Sequence, residues 1–248
     1  MAQLVPAPVR KPRSGGIKDV VGEFVQQDRL VVAQGIAWED SGCGLPSGTR
    51  AGCYDDVVDP EDKVGSEVGQ YQSIGEPFAL YKGVECWLGG DNEGDTYTQQ
   101  AAATLEAGED RRIEEKLVDW AGAATANGTF DSLTDAIGGA EQAADLSYIG
   151  QPVIILNRAD ADRAYAAGVL SREGGKLVTA NGSPVLSTSM QPAGDVAAVG
   201  AVAVYASKIV SMHAQKLSQN VDMAIAERVY DIGVDCNFRY LASIVTTP

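Results

Sequence analysis

A mixed α+β fold organised around one long helix is predicted by three features of the sequence. Apolar residues recur at helical spacing from about residue 95 to 121, a continuously apolar run occupies Pro152 to Asn157, and partial alternation runs through most of the chain after Ala201. Taken in chain order, the first distinct region is Gly35 to Gly94, rich in Gly, Asp, Ser and Pro but interleaved with Trp38, Tyr54, Val57, Val58, Val64, Val68, Tyr71 and Ile74. It lacks helical periodicity and is too long for an ordinary loop, so it reads either as disordered or as an excursion whose apolar residues are buried by something else. Its aromatics favour a partner surface.

From Phe78 to Leu88 the pattern becomes strand-like, with Phe78, Leu80, Val84, Cys86 and Leu88 sharing one parity. Asp95 is a candidate N-cap for the long helix, which carries Tyr97, Ala101, Leu105, Ile113, Leu117 and Trp120 on one side and a charged outer face from Glu109 to Lys116. Asn127 and Gly128 break it. A second helix is expected from near Asp131 to about Leu146, using Leu133, Ile137 and Ala140. The run Pro152 to Asn157 (PVIILN) is a strand buried on both faces, and a short helix follows over Asp160 to Leu170. Lys176–Thr179 and Pro184–Ser187 flank Asn181-Gly182, a favoured hairpin pair. Strands are expected at Lys208–Met212, Met223–Cys236 and Phe238–Val245, with no internal repeat.

The chain has 248 residues, 45% hydrophobic and 21% charged, with 19 basic and 34 acidic side chains and a net charge of −15. This is a globular composition, long enough to form a core without disulfides or a structural metal. The apolar uncharged stretch Val196 to Ser207 falls short of the roughly 20 apolar residues of a spanning helix, so no membrane partner is expected. Pro6, Pro8 and Pro12 interrupt the place where a signal peptide would be apolar. Cys43, Cys53, Cys86 and Cys236 are scattered without a CxxC and read as free thiols of a reducing compartment. Residues 1–18 hold Arg10, Lys11, Arg13 and Lys18 and no acid, which leaves 15 basic against 34 acidic for the remainder. An acidic body repels a phosphate backbone; the basic arm reads either as a solvated tail or as a contact to nucleic acid or an acidic neighbour.

No catalytic constellation stands out. His213 is the single histidine, so Ser-His-Asp and Cys-His assignments have one candidate base, and it reads as a surface or interface residue. The run Asp55, Asp56, Asp59, Glu61, Asp62 lacks the alternation, central Gly and terminal Glu of a calcium loop. Gly42, Gly44 and Gly48 miss the dinucleotide fingerprint, and Gly174, Gly175, Lys176 precede Leu177 where a phosphate loop would have Ser or Thr. Glu114 and Glu115 diverge by about 100° on the helix and cannot share a substrate. Asn127-Gly128-Thr129 and Asn181-Gly182-Ser183 read as turns. No catalytic residue, cofactor or metal is assigned.

Five strings, in order, resemble the major capsid proteins of tailed bacteriophages with the Hong Kong 97 fold, particularly those of phages infecting actinobacteria. PFALYKGVEC (Pro77 to Cys86) followed by LEAGEDRRIEEKL (Leu105 to Leu117) is similar to the junction of extended loop and spine helix. GQPVIILNRADAD (Gly150 to Asp162) resembles the axial-domain strand and helix, and GGKLVTANGSPVLSTS (Gly174 to Ser189) the recurring hairpin of that domain. NVDMAIAERVYDIGVDCNF (Asn220 to Phe238) is similar to the closing strands of the peripheral domain. The likeness spans roughly residues 20 to 246.

The resemblance implies an N-arm at 1–34, an extended loop at 35–85, a peripheral domain at 86–129 with the spine helix at 95–121, an axial domain at 130–205, and peripheral return strands at 206–248. It implies a structural subunit, not an enzyme, that self-assembles into pentamers and hexamers of an icosahedral head around double-stranded DNA, without sequence-specific binding. Inter-subunit contacts are then expected from Trp38, Tyr54, Val57, Val58, Tyr71 and Ile74, and contacts to DNA or a neighbour from Arg10, Lys11 and Arg13. Expected partners are further copies of the chain, a portal, a decoration protein and a scaffolding protein; scaffolding is either a separate protein or absent, because little sequence precedes the likeness. The implied location is the virion capsid, assembled in the host bacterial cytoplasm. The founding member joins subunits through a Lys–Asn isopeptide bond, but nothing in the context of Lys63 and Asn237 marks such a pair, and no cross-link is expected. The alternatives are an encapsulin-like shell enclosing cargo protein and, more remotely, a cytoplasmic metal-dependent enzyme; a tail-tube protein would be mainly β and would not need the long helix.

Overall fold

The computed structural model describes residues 15–21, 23–26, 72–87, 94–124 and 126–245. Its axis is helix α2, Gly94–Gly122, about 43 Å long at 1.5 Å per residue. Tyr97, Ala101, Leu105, Glu109, Ile113, Leu117 and Ala121 are buried on it at intervals of four, and this stripe is the reason the helix docks lengthwise. The expected helix of 95–121 is thus present. The side chain of its proposed cap, Asp95, lies outside the described residues. Glu109 and Glu114, expected on a charged outer face, instead turn inward and are 2% and 0% exposed.

Two sheets are arranged about α2. In the first, β10 (Val202–Ala206), β11 (Val210–Lys216) and β3 (Phe78–Trp87) all pair antiparallel to the long strand β12 (Val221–Val234), β2 (Gln72–Ser73) adds at Gly233 and Val234, and β1 (Glu23–Gln26) joins β10 in parallel. In β12, even-numbered residues from Asp222 to Tyr230 are buried and odd-numbered ones only half-buried. Ala226 packs on Ala101 and Leu105, so the even face is the one under α2.

The second sheet has the order β4 (Ala126–Phe130), β13 (Arg239–Ile244), β9 (Asp195–Val199), β5 (Val153–Asn157), β8 (Val185–Thr188). Helix α3 (Leu133–Ser147), N-capped by Ser132 on the Asp135 amide, and helix α4 (Arg158–Ala166), N-capped by Asn157 on Ala159, connect its strands. Both faces are covered. Ile154, Leu156, Val196 and Ala198 meet Ala136, Ile137 and Ala140 of α3, whereas Val153, Ile155, Ala197 and Val199 join Ile113, Leu117 and Tyr230 in the main core. Burial on both faces explains the unbroken apolar run of β5.

The chain crosses between the sheets twice at one place. Gly200 and Ala201 lead from β9 to β10, Asp235–Asn237 lead from β12 to β13, and the crossings are tied by Gly200 N–H to Phe238 O (3.1 Å) and Asp235 N–H to Ala201 O (2.9 Å). Tyr148 seals the junction: its hydroxyl donates to Asp235 Oδ2 and accepts from the Ala201 amide, while its ring stacks on Phe238. Cys236 and Asn237 sit in the left-handed region there. Cys236 is disulfide-bonded, which corrects the reading of four free thiols; scattered spacing conveys nothing about proximity in space.

The Asn181-Gly182 hairpin is also corrected. The ladder is formed by β6 (Leu170–Glu173) and β7 (Lys176–Thr179) around Gly174-Gly175, whose positive φ angles of 56° and 86° suit the tight turn. Beyond Asn181-Gly182 only Val178 and Pro184 bridge, because β8 takes its ladder with β5. Glu141 of α3 holds that turn through Thr179 Oγ1 and Asn181 Nδ2. Strands β1, β2, β4, β6 and β9 are additional to those expected from the sequence.

Two glycines give opposed predictions. A Cβ on Gly200 would lie 2.3 Å from Asp235 O, a backbone atom that cannot yield, so Gly200→Ala should cost about 2–4 kcal/mol and lower the denaturant midpoint. Gly108 lies exposed in α2 with open space around its Cβ position, and Gly108→Ala should raise stability by about 1 kcal/mol.

Candidate inter-subunit surface

A surface that holds copies together needs a rigid body behind it, and here rigidity centres on Glu109. Its Oε2 accepts from the Tyr230 hydroxyl (2.5 Å) and Arg228 NH1 (3.1 Å) of β12, and its Oε1 from Lys18 Nζ (2.9 Å). Arg228 also donates from Nε to Ser207 O at 2.6 Å. Lys18 belongs to the short helix α1, Ile17–Val20, and reaches Asp110 Oδ1 at 3.0 Å as well. Five residues further along α2, Glu114 accepts from Ile17 N–H and from Thr188 Oγ1 of β8. One side of one helix therefore ties together α1, the first sheet and the second.

Burial would lower the pKa of Lys18, but the hydrogen bonds and charges of Glu109 and Asp110 outweigh it and hold the ammonium above its ordinary 10.5. Burial raises the Tyr230 phenol, and its bond to Glu109 adds to that. Burial also raises Asp110, against the pull of Lys18.

The first sheet turns its other face outward. Facing pairs on the odd side of β12 are Met212 with Ile225 with Gly83, Val210 with Glu227 with Tyr81, and Ala214 with Met223 with Glu85. Tyr81 is 74% exposed, Met212 54% and Val210 51%. All seven residues of β11 are exposed, and among the described residues it pairs with β12 alone. An exposed ladder that sets Tyr81, Val210, Met212, Ile225 and Met223 between the charges of Glu227 and Glu85 is a place where another chain binds or where aggregation starts. The second sheet's layer adds exposed Leu146 and Ile149 at the end of α3 and Tyr165 on α4.

Sequence reasoning missed Tyr81, Val210 and Met212. Their signal was the phase of the strand alternation: β12 is largely apolar on both parities and β11 sets Val210, Met212 and Ala214 beside the odd-numbered side of β12, which one covering helix does not require. Of the residues expected to make inter-subunit contacts, Trp38, Tyr54, Val57, Val58 and Tyr71 lie outside the described residues, as do Arg10, Lys11 and Arg13. Ile74 is half-buried, packs in part on the main core of its own chain, and donates its amide to Ile232 O.

Other chemistry is thinly represented. His213 on β11 contacts Asp222 through Nε2 and is one-third exposed. Clefts of about 390 Å³, beside Ile74, Phe78, Lys116 and Asp231, and about 490 Å³, beside Glu141, Asp145, Gln151 and Asn181, do not include it. Among the described residues no group of three or more His, Cys, Asp or Glu is placed to hold a metal, and no helix is long and apolar enough to cross a membrane. The acidic run at 55–62 and Lys63 lie outside the described residues, and Asn237 is exposed.

No family model and no curated protein matches the chain. Solved structures match it along its whole length. A chain of the capsid of the cyanophage P-SCSP1u superimposes with a TM-score of 0.54 at 9% identity, covering 100% of this chain and 93% of that one. The capsid of an empty GTA particle gives 0.55 at 12% identity, covering 99% and 95%. The SrpI encapsulin complex from Synechococcus elongatus PCC 7942 gives 0.51 at 10% identity, covering 96% and 92%. The chain thus has the architecture of shell-forming proteins. More specifically, its fold is the α+β Hong Kong 97 capsid fold that the sequence resemblance implies.

The Glu109 network predicts an alkaline limit. Lys18 and Tyr230 are raised above their unfolded values, so their contribution is complete below those values and is lost as pH rises through the folded ones. The urea midpoint should therefore fall as pH rises above 10.0, and Lys18→Met should be less stable at neutral pH but show less of this fall. Glu109→Gln leaves Arg228 and Lys18 short of a charge partner and should cost about 3 kcal/mol. Asp110→Asn should cost less, because the Asp110 charge is itself disfavoured by burial.

Proposed function

We propose that this chain is the structural subunit of an icosahedral phage head, its copies assembling as pentamers and hexamers around double-stranded DNA. The observation that carries this reading is the combination of a full-length capsid fold with an exposed apolar ladder, Tyr81, Val210 and Met212, on the face of the first sheet away from α2. The action is mechanical and not catalytic: α2 and the two sheets supply a rigid tile, and contacts between tiles supply the shell.

On this reading residues 1–34 are the N-arm, 35–85 the extended loop, 86–129 and 206–248 the peripheral domain, and 130–205 the axial domain. The crossing at Gly200–Ala201 supports a division near the end of the axial segment, whereas the crossing at Asp235–Asn237 returns the last strand, β13, to the second sheet beside β9 and β4. The loop residues Trp38, Tyr54, Val57, Val58 and Tyr71, with the exposed part of Ile74, meet a neighbouring copy. The ladder is their natural counterpart, apolar and uncovered. Arg10, Lys11 and Arg13 meet DNA or a neighbour without reading sequence. A portal, a decoration protein and a scaffolding protein complete the partners, and assembly takes place in the host bacterial cytoplasm.

The encapsulin match favours a second reading, a shell around cargo protein. Particle contents separate the two: nuclease-protected DNA supports the head, and a co-purifying enzyme in its place supports the compartment.

Negative-stain microscopy with sedimentation should show closed shells tens of nanometres across when the chain is expressed with its neighbouring genes; a persistent monomer would overturn the proposal. Deleting residues 41–70, which spares β2 and Ile74, should leave a folded monomer that no longer assembles. Met212→Glu should do the same with a change in monomer stability of no more than about 0.5 kcal/mol, and normal shells from both variants would sink the assignment of this surface.

A further inference from the structure

The two sheets are joined by the crossings at Gly200–Ala201 and Asp235–Asn237, and helix α1 packs between α2 and β8 in the core they share. Ile17 and Val20 are buried in the core that the two sheets share with α2. Gly15 O accepts from Ser187 N–H at 2.9 Å and Ile17 N–H donates to Glu114, so α1 is tied to the second sheet and to α2. Lys18 ties it, through Glu109, to Arg228 and Tyr230 of the first sheet. Gly15 has φ of 72°, and its Cβ position is already 3.5 Å from Leu177 and Ser187, so the segment enters a close-fitting slot.

Four helical residues cannot hold a helix by themselves. Two buried apolar side chains, two hydrogen bonds (Ser187 N–H to Gly15 O and Ile17 N–H to Glu114) and one half-exposed lysine seat α1, whereas the strands on both sides are held by continuous ladders. The weakest element at the joint is therefore the one that contacts both sides of it.

We propose that Gly15–Val21 is a removable wedge that sets the angle between the two sheets: seated, it locks α2 to both, and withdrawn, it lets them turn about the paired crossings. Strand β1, on the edge of the first sheet beside β10, keeps the wedge tethered when it leaves its slot. The charged and titratable groups around Lys18 are Glu109, Asp110 and Glu114 from α2 and Arg228 and Tyr230 from β12, with Asp19 of α1 occupied by the Gly15 amide. High salt and high pH both weaken that pin. The inference does not depend on the chain building a shell, although a tile with an adjustable joint would suit five-fold and six-fold surroundings alike.

Hydrogen exchange of the unassembled chain at neutral pH tests the seat, comparing wild type with Lys18→Met and Lys18→Arg. The amides of Ile17 and Ser187 and those of α2 around Glu109 to Val118 should exchange about ten-fold faster in Lys18→Met, with Lys18→Arg close to wild type and β5 and β9 unchanged. Wild-type protection in Lys18→Met overturns the wedge, and so does an equal acceleration in β5 and β9, which would mean general destabilisation. Fluorophores introduced as non-natural residues at exposed Tyr165 and Met212, one on each sheet layer, read the angle. A broader distance distribution in Lys18→Met supports the proposal; faster exchange with an unchanged distribution overturns it.

Discussion

Glu109 is a carboxylate placed in the middle of an apolar stripe, and the rest of the architecture is arranged to make that position tolerable. Left alone, a buried charge of this kind would cost several kcal/mol and would protonate or expel its helix from the core. Arg228, Tyr230 and Lys18 come from two other elements to supply its hydrogen bonds, and Arg228 needs Ser207 O in turn. Such a set is satisfied in one arrangement only. An apolar residue at 109 would tolerate α2 sliding along β12 by a turn; the carboxylate does not. The register between helix and sheet is thereby specified by polar chemistry, and the apolar residues at intervals of four supply most of the adhesion.

A second constraint follows from covering the β5 sheet on both faces. With α3 on one side and α2, α1 and β10 on the other, the strands between must be apolar at every position, and Val153 to Leu156 and Val196 to Val199 are. The uncharged stretch Val196 to Ser207 is the consequence: two buried strands joined through Gly200, where the crossing chain passes too close for a side chain. Arg239 fixes the far end of α2 against the same sheet by donating to Trp120 O and lying over the Trp120 ring.

Legibility from the sequence divides along this physical line. The long helix, α3, β5 and β12 were legible because each announces its own periodicity: helical spacing from Tyr97, an apolar run at Val153, alternation from Val221. Asn181-Gly182 misled because a turn signal states that the chain reverses, not which strands pair afterward, and β8 found a better partner in β5. Glu109 and Glu114 were read as solvent-facing because charge usually is. The i+4 series through Tyr97, Ala101, Leu105 and Ile113 had already placed 109 inside, and geometry outranks residue type when the two disagree. Short strands such as β4, with Asn127 and Gly128 within it, owe their conformation to the neighbouring strand β13 and carry little local signal. Of the surface, the apolar parity of β11 (Val210, Met212, Ala214) was visible, but not that α2 would cover the opposite face.

The exposed ladder acquires meaning from the rigidity behind it. A sheet face carrying Tyr81, Met212 and Val210 beside the open strand β11 is a liability for a protein that remains alone, and chains that stay monomeric blunt such edges with charge, proline or a covering loop. Here the only charged residue of β11 is Lys216, at its end, while the rest of the strand runs Val210, Ser211, Met212, His213, Ala214, Gln215. Nothing in the internal architecture requires that composition, since the α2-facing side is already filled by Ala224, Ala226 and Tyr230. A surface left apolar without an internal reason calls for an external one. The proposed shell would offer it: in a closed shell an edge and face of this kind would meet another copy, and the exposure seen in one chain would be half of an interface that the chain cannot complete by itself.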